Sequence, residues 1–299
     1  MEKNLQGHLA AVVTVIIWAS TFISTKVLLS AFLPIEILFI RFLLGLVVLL
    51  IVSPKLLPFS SWKEESYFAL AGLFGVFLYY YLENVALTYT LAMNVGIIGS
   101  ISPFVTALLS RFVLKEGKIY PLFVLGFVCS IIGICFISLT GTLNVNPIGD
   151  GLAFFATFFW AGYSLFVKKI GQFGYSTIAV TQRIFIYGII FMAPVFFYSI
   201  DGFDMARLFD FKNLANLLFL GIGASALCFV TWNFSVRQLG AVRAAIYIYS
   251  IPMLTTLASV VLLGEQLTVK TCIGIVLTLF GLFLSEWQNI VVQRRINPH

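Results

Sequence analysis

The sequence predicts an all-α integral membrane protein, with ten transmembrane helices arranged as two inverted five-helix repeats. Three observations lead there. Hydrophobic residues fill 61% of the 299 positions and charged residues only 10%, far more apolar surface than a soluble domain of this length buries. The chain repeats itself at a spacing of roughly half its length. Its lysines and arginines fall unevenly between alternate connections. A bilayer core about 30 Å thick demands runs of roughly 20 apolar residues. A membrane barrel would instead show short alternating segments.

Apolar runs read against turn signals give ten segments, at about 8–28, 34–53, 67–88, 91–113, 119–139, 149–169, 176–199, 213–236, 240–262 and 269–288. Leu33-Pro34 closes the first and Ser53-Pro54 the second. The third and fourth meet at Thr88 to Leu91, and Glu116-Gly117-Lys118 separates the fourth from the fifth. Asn144-Val145-Asn146-Pro147 divides the halves. Gly171 to Gly174, Asp201-Gly202 and Gly264-Glu265 mark later breaks. The first run resembles a signal peptide, but it is too long and has a repeat partner near 149–170, so it is expected to stay in the protein.

Trp18-Ala19 recurs as Trp160-Ala161, and Arg41 as Arg183. Asn84, Ala92, Pro103 and Glu116 recur as Asn233, Ala241, Pro252 and Glu265. Gly126 and Gly133 recur as Gly274 and Gly281. The matches keep their order, and the offset changes only between segments. Two units follow, residues 1–143 and 144–299. Five spans per unit is odd, so the second copy lies upside down relative to the first. Repeats inverted in this way belong to alternating-access architectures, with the substrate site near the repeat interface.

With the N-terminus inside, the cytoplasmic connections hold Lys3, Lys55, Lys63, Arg111, Lys115, Lys118, Lys168, Lys169, Arg237, Arg243, Arg294 and Arg295. The outer ones hold only Lys26, Arg207, Lys212 and Lys270. That bias places both termini in the cytoplasm of a cell whose inner (plasma) membrane the chain spans. It also accounts for the net charge of +6 without a nucleic-acid partner. Cys129, Cys135, Cys228 and Cys272 all lie in apolar segments and are expected as small hydrophobes, with neither disulfide nor metal.

The stretch Asn84 to Asn94, followed by Ser102-Pro103 and Leu114-Lys115-Glu116, resembles the drug/metabolite transporter superfamily. Its second copy, Trp232 to Ala241, Ile251-Pro252 and Leu263-Gly264-Glu265, matches as well. The likeness is to the ten-span EamA-type members and covers essentially the whole chain. It implies two five-helix units in a basket around a central cavity, lined by spans 1, 3, 4, 6, 8 and 9. It also implies export or exchange of small metabolites. Fold carries over from such a resemblance; substrate does not.

Glu83 is the candidate recognition or coupling acid. An ionisable group inside a span is costly and faces a cavity or a partner. Here it binds a proton or a cationic group of the substrate, or else is a structural carboxylate paired near the outer surface. Asn94 lies equally far from the hairpin tip and is expected to face it. Tyr79 and Tyr80, one turn earlier, offer ring faces to a substrate or a cation. Trp18 and Trp160, with Trp232, Asn233 and Tyr247, populate corresponding regions of the two units; ordinary packing is the plainer alternative for each aromatic. Arg243 falls near the cytoplasmic mouth. It either meets a substrate carboxylate or follows the inside rule for basic residues.

Arg41 and Arg183, at matching positions, are expected to serve the scaffold by capping carbonyls or reaching headgroups. Pro103 and Pro252 remove a backbone donor in matching spans and are candidate hinges. Gly126, Ser130, Gly133, Gly274 and Gly281 give spans five and ten a small-residue packing face, inside the fold or between the subunits of a homodimer. Glu116 and Glu265 read as helix-end residues. No metal-spaced cluster, nucleotide loop or nucleophile–base pair points to an enzyme or a cofactor.

The sequence therefore predicts a secondary transporter of a small organic metabolite, an amino acid or organic cation, with protons as a candidate coupling ion and the protein a monomer or homodimer. An exchanger of phosphorylated metabolites such as nucleotide sugars needs cations deep in the cavity. Lys26, Lys168 and Lys270 lie at span ends instead. A non-transporting scaffold or receptor would need no buried acid.

Overall fold

The computed structural model describes residues 2–113, 115, 120–138, 147–199, 204–239 and 247–296. Among the described residues, seven helices are long and apolar enough to cross a membrane, and three shorter apolar stretches stand where the fifth, ninth and tenth segments were expected. In chain order they are α1 (Glu2–Leu28), α2 (Pro34–Val52), α3 (Trp62–Tyr89), α4 (Ala92–Val113), α5 (Pro121–Ser138), α6 (Pro147–Phe173), α7 (Thr177–Tyr198), α8 (Phe211–Ser235), α9 (Ile251–Leu263) and α10 (Val269–Ile296).

Local sequence sets the ends. Pro34 opens α2, where its missing N–H is no loss, and the Glu36 carboxylate accepts from the Leu33 N–H at 2.7 Å. Ser61 accepts from the Glu64 N–H to start α3, and Ser176 from the Ala179 N–H to start α7. Gly264 ends α9 at φ 67°, a conformation that side chains with a Cβ resist.

The distribution of polarity is that of a lipid-embedded bundle. On α2, Leu43, Val47 and Ile51 form an exposed apolar stripe at helical spacing, while Leu38, Arg41, Phe42, Gly45 and Leu49 turn inward. Such stripes would be a liability in water, but in a bilayer they face acyl chains. The interior carries the polar groups, among them Thr14, Glu83, Asn84, Asp150 and Gln182.

Helix packing shows the repeat. When each helix of the first unit is exchanged for its counterpart five places on, the pairing α1·α8 becomes α6·α3, α2·α8 becomes α7·α3, and α1·α9 becomes α6·α4; all six pairings exist. The pairs α2·α7, α4·α9 and α5·α10 map onto themselves and are also present. A two-fold relation between the units produces this set, as in inverted-repeat architectures. Asn84 donates to the Pro34 carbonyl at the start of α2, and its counterpart Asn233 to the Thr181 hydroxyl in the first turns of α7.

The repeat extends to irregularities. A π-helical stretch, Gly72–Leu78, widens α3, and another, Phe219–Leu227, widens α8 over the corresponding residues. Wide turns of this kind loosen the carbonyl ladder and gather at functional sites. α4 breaks at Ser100 and Ile101, and Pro103 is the second residue of its later half, Ser102–Val113. Pro252 likewise stands at the start of α9. The two prolines thus open helix segments and do not kink continuous ones, because a first-turn proline leaves no hydrogen bond unmade.

α5 and α10 pack most closely. A Cβ on Gly281 would lie 2.4 Å from the Gly126 carbonyl oxygen and 2.4 Å from Ser130 Oγ, and Ser130 donates to the Thr278 carbonyl. The small-residue face therefore serves contact within the fold. The four cysteines are free thiols.

Candidate functional site

Among the described residues, two polar clusters near the junction of the units bear on function. The first surrounds Glu83, on the part of α3 that follows its π-helical stretch. Glu83 is 4% exposed, and Tyr79 stands one turn before it on the same helix, where the two side chains interact. Beside them the Arg41 guanidinium from α2 lies over the Tyr80 ring, 4.6 Å from its centroid, and 5.2 Å from that of Phe42. Arg41 is fully buried; its Nε donates to Ser225 Oγ of α8 at 3.1 Å, while Nη1 and Nη2 have no hydrogen-bond partner.

Aromatic rings connect these charges to the junction of the two units. Tyr79 packs on Tyr80 at 4.8 Å and on Trp160 at 5.0 Å. Trp160 meets its repeat counterpart Trp18 edge to face at 5.8 Å, and Trp18 meets Trp232 at 5.2 Å. The Trp18 indole N–H donates to the Ala224 carbonyl, inside the widened turn of α8. The residues come from α1, α3, α6 and α8. A continuous chain of packed rings thus leads to a carboxylate, and residues of these types suit a cationic or aromatic group.

The second cluster gathers on the α3–α4 hairpin. Lys26 Nζ donates to the carbonyls of Leu87 and Thr90 at 2.5 and 2.7 Å. Asp150, near the start of α6, accepts from the Thr90 hydroxyl at 2.6 Å and from the Asn94 amide at 3.3 Å. Glu265, on the α9–α10 connection, accepts from the backbone N–H groups of Ala92 and Met93 at 2.8 and 3.2 Å. Three ionisable side chains from both units thereby hold one turn.

This places the expected residues. Glu83, Tyr79, Tyr80, Trp18, Trp160 and Trp232 come together. Asn94 does not join them: its amide serves Thr90 and Asp150, because α4 starts directly under α6. Asn233 ties α8 to α7, and Tyr247 hydrogen-bonds His8 at 2.7 Å. Arg243 and Glu116 lie outside the described residues. Arg183 meets the scaffold expectation, donating to the Leu57 carbonyl and pairing with Glu65 at 3.4 Å; Arg41, its counterpart, caps nothing.

Asp150 escaped the sequence reading because an acid in a first helical turn suits the helix dipole without any tertiary role. Among the described residues no group of three or more His, Cys, Asp or Glu is placed to hold a metal ion.

The profile of the EamA-like transporter family matches the chain twice, over residues 5–139 and again over 147–287. The chain belongs to the EamA-like transporter family. An uncharacterized transporter of Archaeoglobus fulgidus is 30% identical over 295 residues, spanning 94% of this chain and 98% of its own. One from Clostridium kluyveri is 25% identical over 302 residues, spanning 95% and 94%. A solved structure described as "Crystal structure of protein" has the same fold, with a TM-score of 0.68 at 19% identity, covering 96% of this chain and 97% of that one. This EamA protein is thus a multi-pass membrane transporter, and its family and relatives point away from an enzyme.

Proposed function

We propose that the chain is a secondary transporter of a small organic metabolite, an amino acid or an organic cation, working by alternating access. Its ten helices all cross the cell's inner membrane, both termini are cytoplasmic, and export is the favoured direction. The observation that carries this reading is the Glu83 carboxylate, buried within the bundle and joined through Tyr79 and Trp160 to the tryptophan cluster between the units. A membrane protein holds an acid there only for a partner or a proton. Glu83 receives the substrate's cationic group, or a coupling proton when that group has left, and the aromatic rings enclose the remainder. The second cluster closes the outer end: Lys26, Asp150 and Glu265 pull α1, α6 and the α9–α10 turn onto the α3–α4 hairpin.

The test is thermal stability of the purified protein against a panel of amines and amino acids, beside Glu83→Gln. A ligand of the folded state raises stability by RT ln(1 + [L]/Kd), about 2.7 kcal/mol at a hundredfold excess over Kd. Stabilisation by a cationic ligand that disappears in Glu83→Gln supports the reading. Stabilisation that survives moves the site away from the acid.

A further inference from the structure

The Arg41 guanidinium has no structural employment that accounts for its place. It is fully buried, yet Nη1 and Nη2 lack hydrogen-bond partners, and among the described residues it forms no ion pair. An uncompensated buried cation costs several kcal/mol, and charged residues at membrane depth mark substrate paths. Its counterpart Arg183 shows what a scaffold role looks like here, with a backbone carbonyl and a carboxylate both engaged. Arg41 has instead the Ser225 hydroxyl on Nε and the rings of Tyr80 and Phe42 beside its guanidinium. What is left over is a fork of terminal N–H groups, the geometry that takes a carboxylate in two parallel hydrogen bonds.

Glu83 stands near enough to interact electrostatically with Arg41, yet the two do not close into an ion pair. Opposite charges held apart in a low-dielectric interior, with Tyr79 and Tyr80 beside them, complement a ligand that is itself a zwitterion. A neutral pair of site charges matches a ligand of zero net charge; a phosphorylated dianion would leave negative charge unbalanced in the bilayer interior.

We infer that Arg41 is the carboxylate-binding residue of the transport site, so that the substrate is a free amino acid and not a simple organic cation. This rests on the Glu83 reading, with the ammonium group on that acid and the carboxylate on Arg41 of the neighbouring helix.

The experiment uses the whole purified protein and three sets of probes: free amino acids, their carboxamides, which lack the carboxylate, and their N-acetyl derivatives, which lack the ammonium. Binding is read by thermal shift and by equilibrium dialysis. Wild-type protein binds a free amino acid about tenfold or more tighter than its carboxamide, the worth of one charge-assisted pair. Arg41→Met abolishes that preference while still binding the carboxamide, and Arg41→Lys keeps part of it.

Equal affinity for acid and carboxamide in wild type overturns the inference, as does a preference that survives in Arg41→Met. Should Arg41→Met fail to fold, the wild-type comparison and Arg41→Lys decide alone. Failure of the underlying reading looks different: no free amino acid or carboxamide binds, or the N-acetyl derivative binds as tightly as the free amino acid.

Discussion

Glu265 caps a helix that begins 173 residues before it, and that contact can be tested alone. Leu91, the N-cap residue of α4, offers no side-chain acceptor, so the Glu265 carboxylate takes the Ala92 and Met93 N–H groups in its place. Hydrogen bonds to a charged group contribute ~1.5–3 kcal/mol each when well buried, and a lost N-cap costs ~0.5–2 kcal/mol. Glu265 is only half-buried, so water recovers part of the loss, and Glu265→Ala should cost about 2 kcal/mol. For a chain of this size that corresponds to a fall of about 3 °C in Tm. Glu265→Gln keeps one carbonyl acceptor without charge and should fall about half as far. Differential scanning fluorimetry in detergent measures both. An unchanged Tm in Glu265→Ala would refute the capping account, as would a Gln variant no better than Ala.

The same logic separates other pairs of substitutions. Gly281→Ala drives a methyl into the Gly126 carbonyl and Ser130 and should cost about 1–3 kcal/mol. Gly151→Ala on α6 meets nothing within 4 Å and should gain ~0.5–1 kcal/mol; melts that shift alike would contradict the close α5·α10 packing. Arg183→Met strips a partner from Glu65 and should cost about 3 kcal/mol, whereas Arg41→Met removes an unpaired buried charge and should melt at or above wild type. Tyr175 donates to the Glu64 carboxylate at 2.8 Å, and that hydrogen bond holds its phenol above the usual value of 10.0. The neutral phenol is the form favoured by folding, so its contribution is present below pH 10 and lost as pH rises through the raised value. Tyr175→Phe should therefore flatten the alkaline fall in stability, and an unchanged fall would contradict it.

Apolar length and turn residues made the helix positions readable, since the bilayer imposes one dominant rule on composition. The glycines at 126, 133, 274 and 281 gave away the α5·α10 contact because nothing larger fits between those helices. Glu83 stood out through cost alone. Other features depend on which helices meet. Asn94 shares a helix with no acid, and only the docking of α6 brings Asp150 beside it. Arg41 and Arg183 occupy equivalent places in the repeat, yet Glu65 stands by one and not the other, so their difference lives in partners a single sequence does not pair. The wide turns in α3 and α8 leave no clear mark in composition, although the repeat aligns them once they are known.

Under the proposed function, substrate passes the Glu83 carboxylate. Counterflow of labelled amino acids into proteoliposomes preloaded with the unlabelled compound tests it most directly, with wild-type protein and Glu83→Gln run side by side. Label should accumulate with wild type and fail to accumulate with a Glu83→Gln protein that melts normally. Accumulation at the wild-type rate in Glu83→Gln would contradict it.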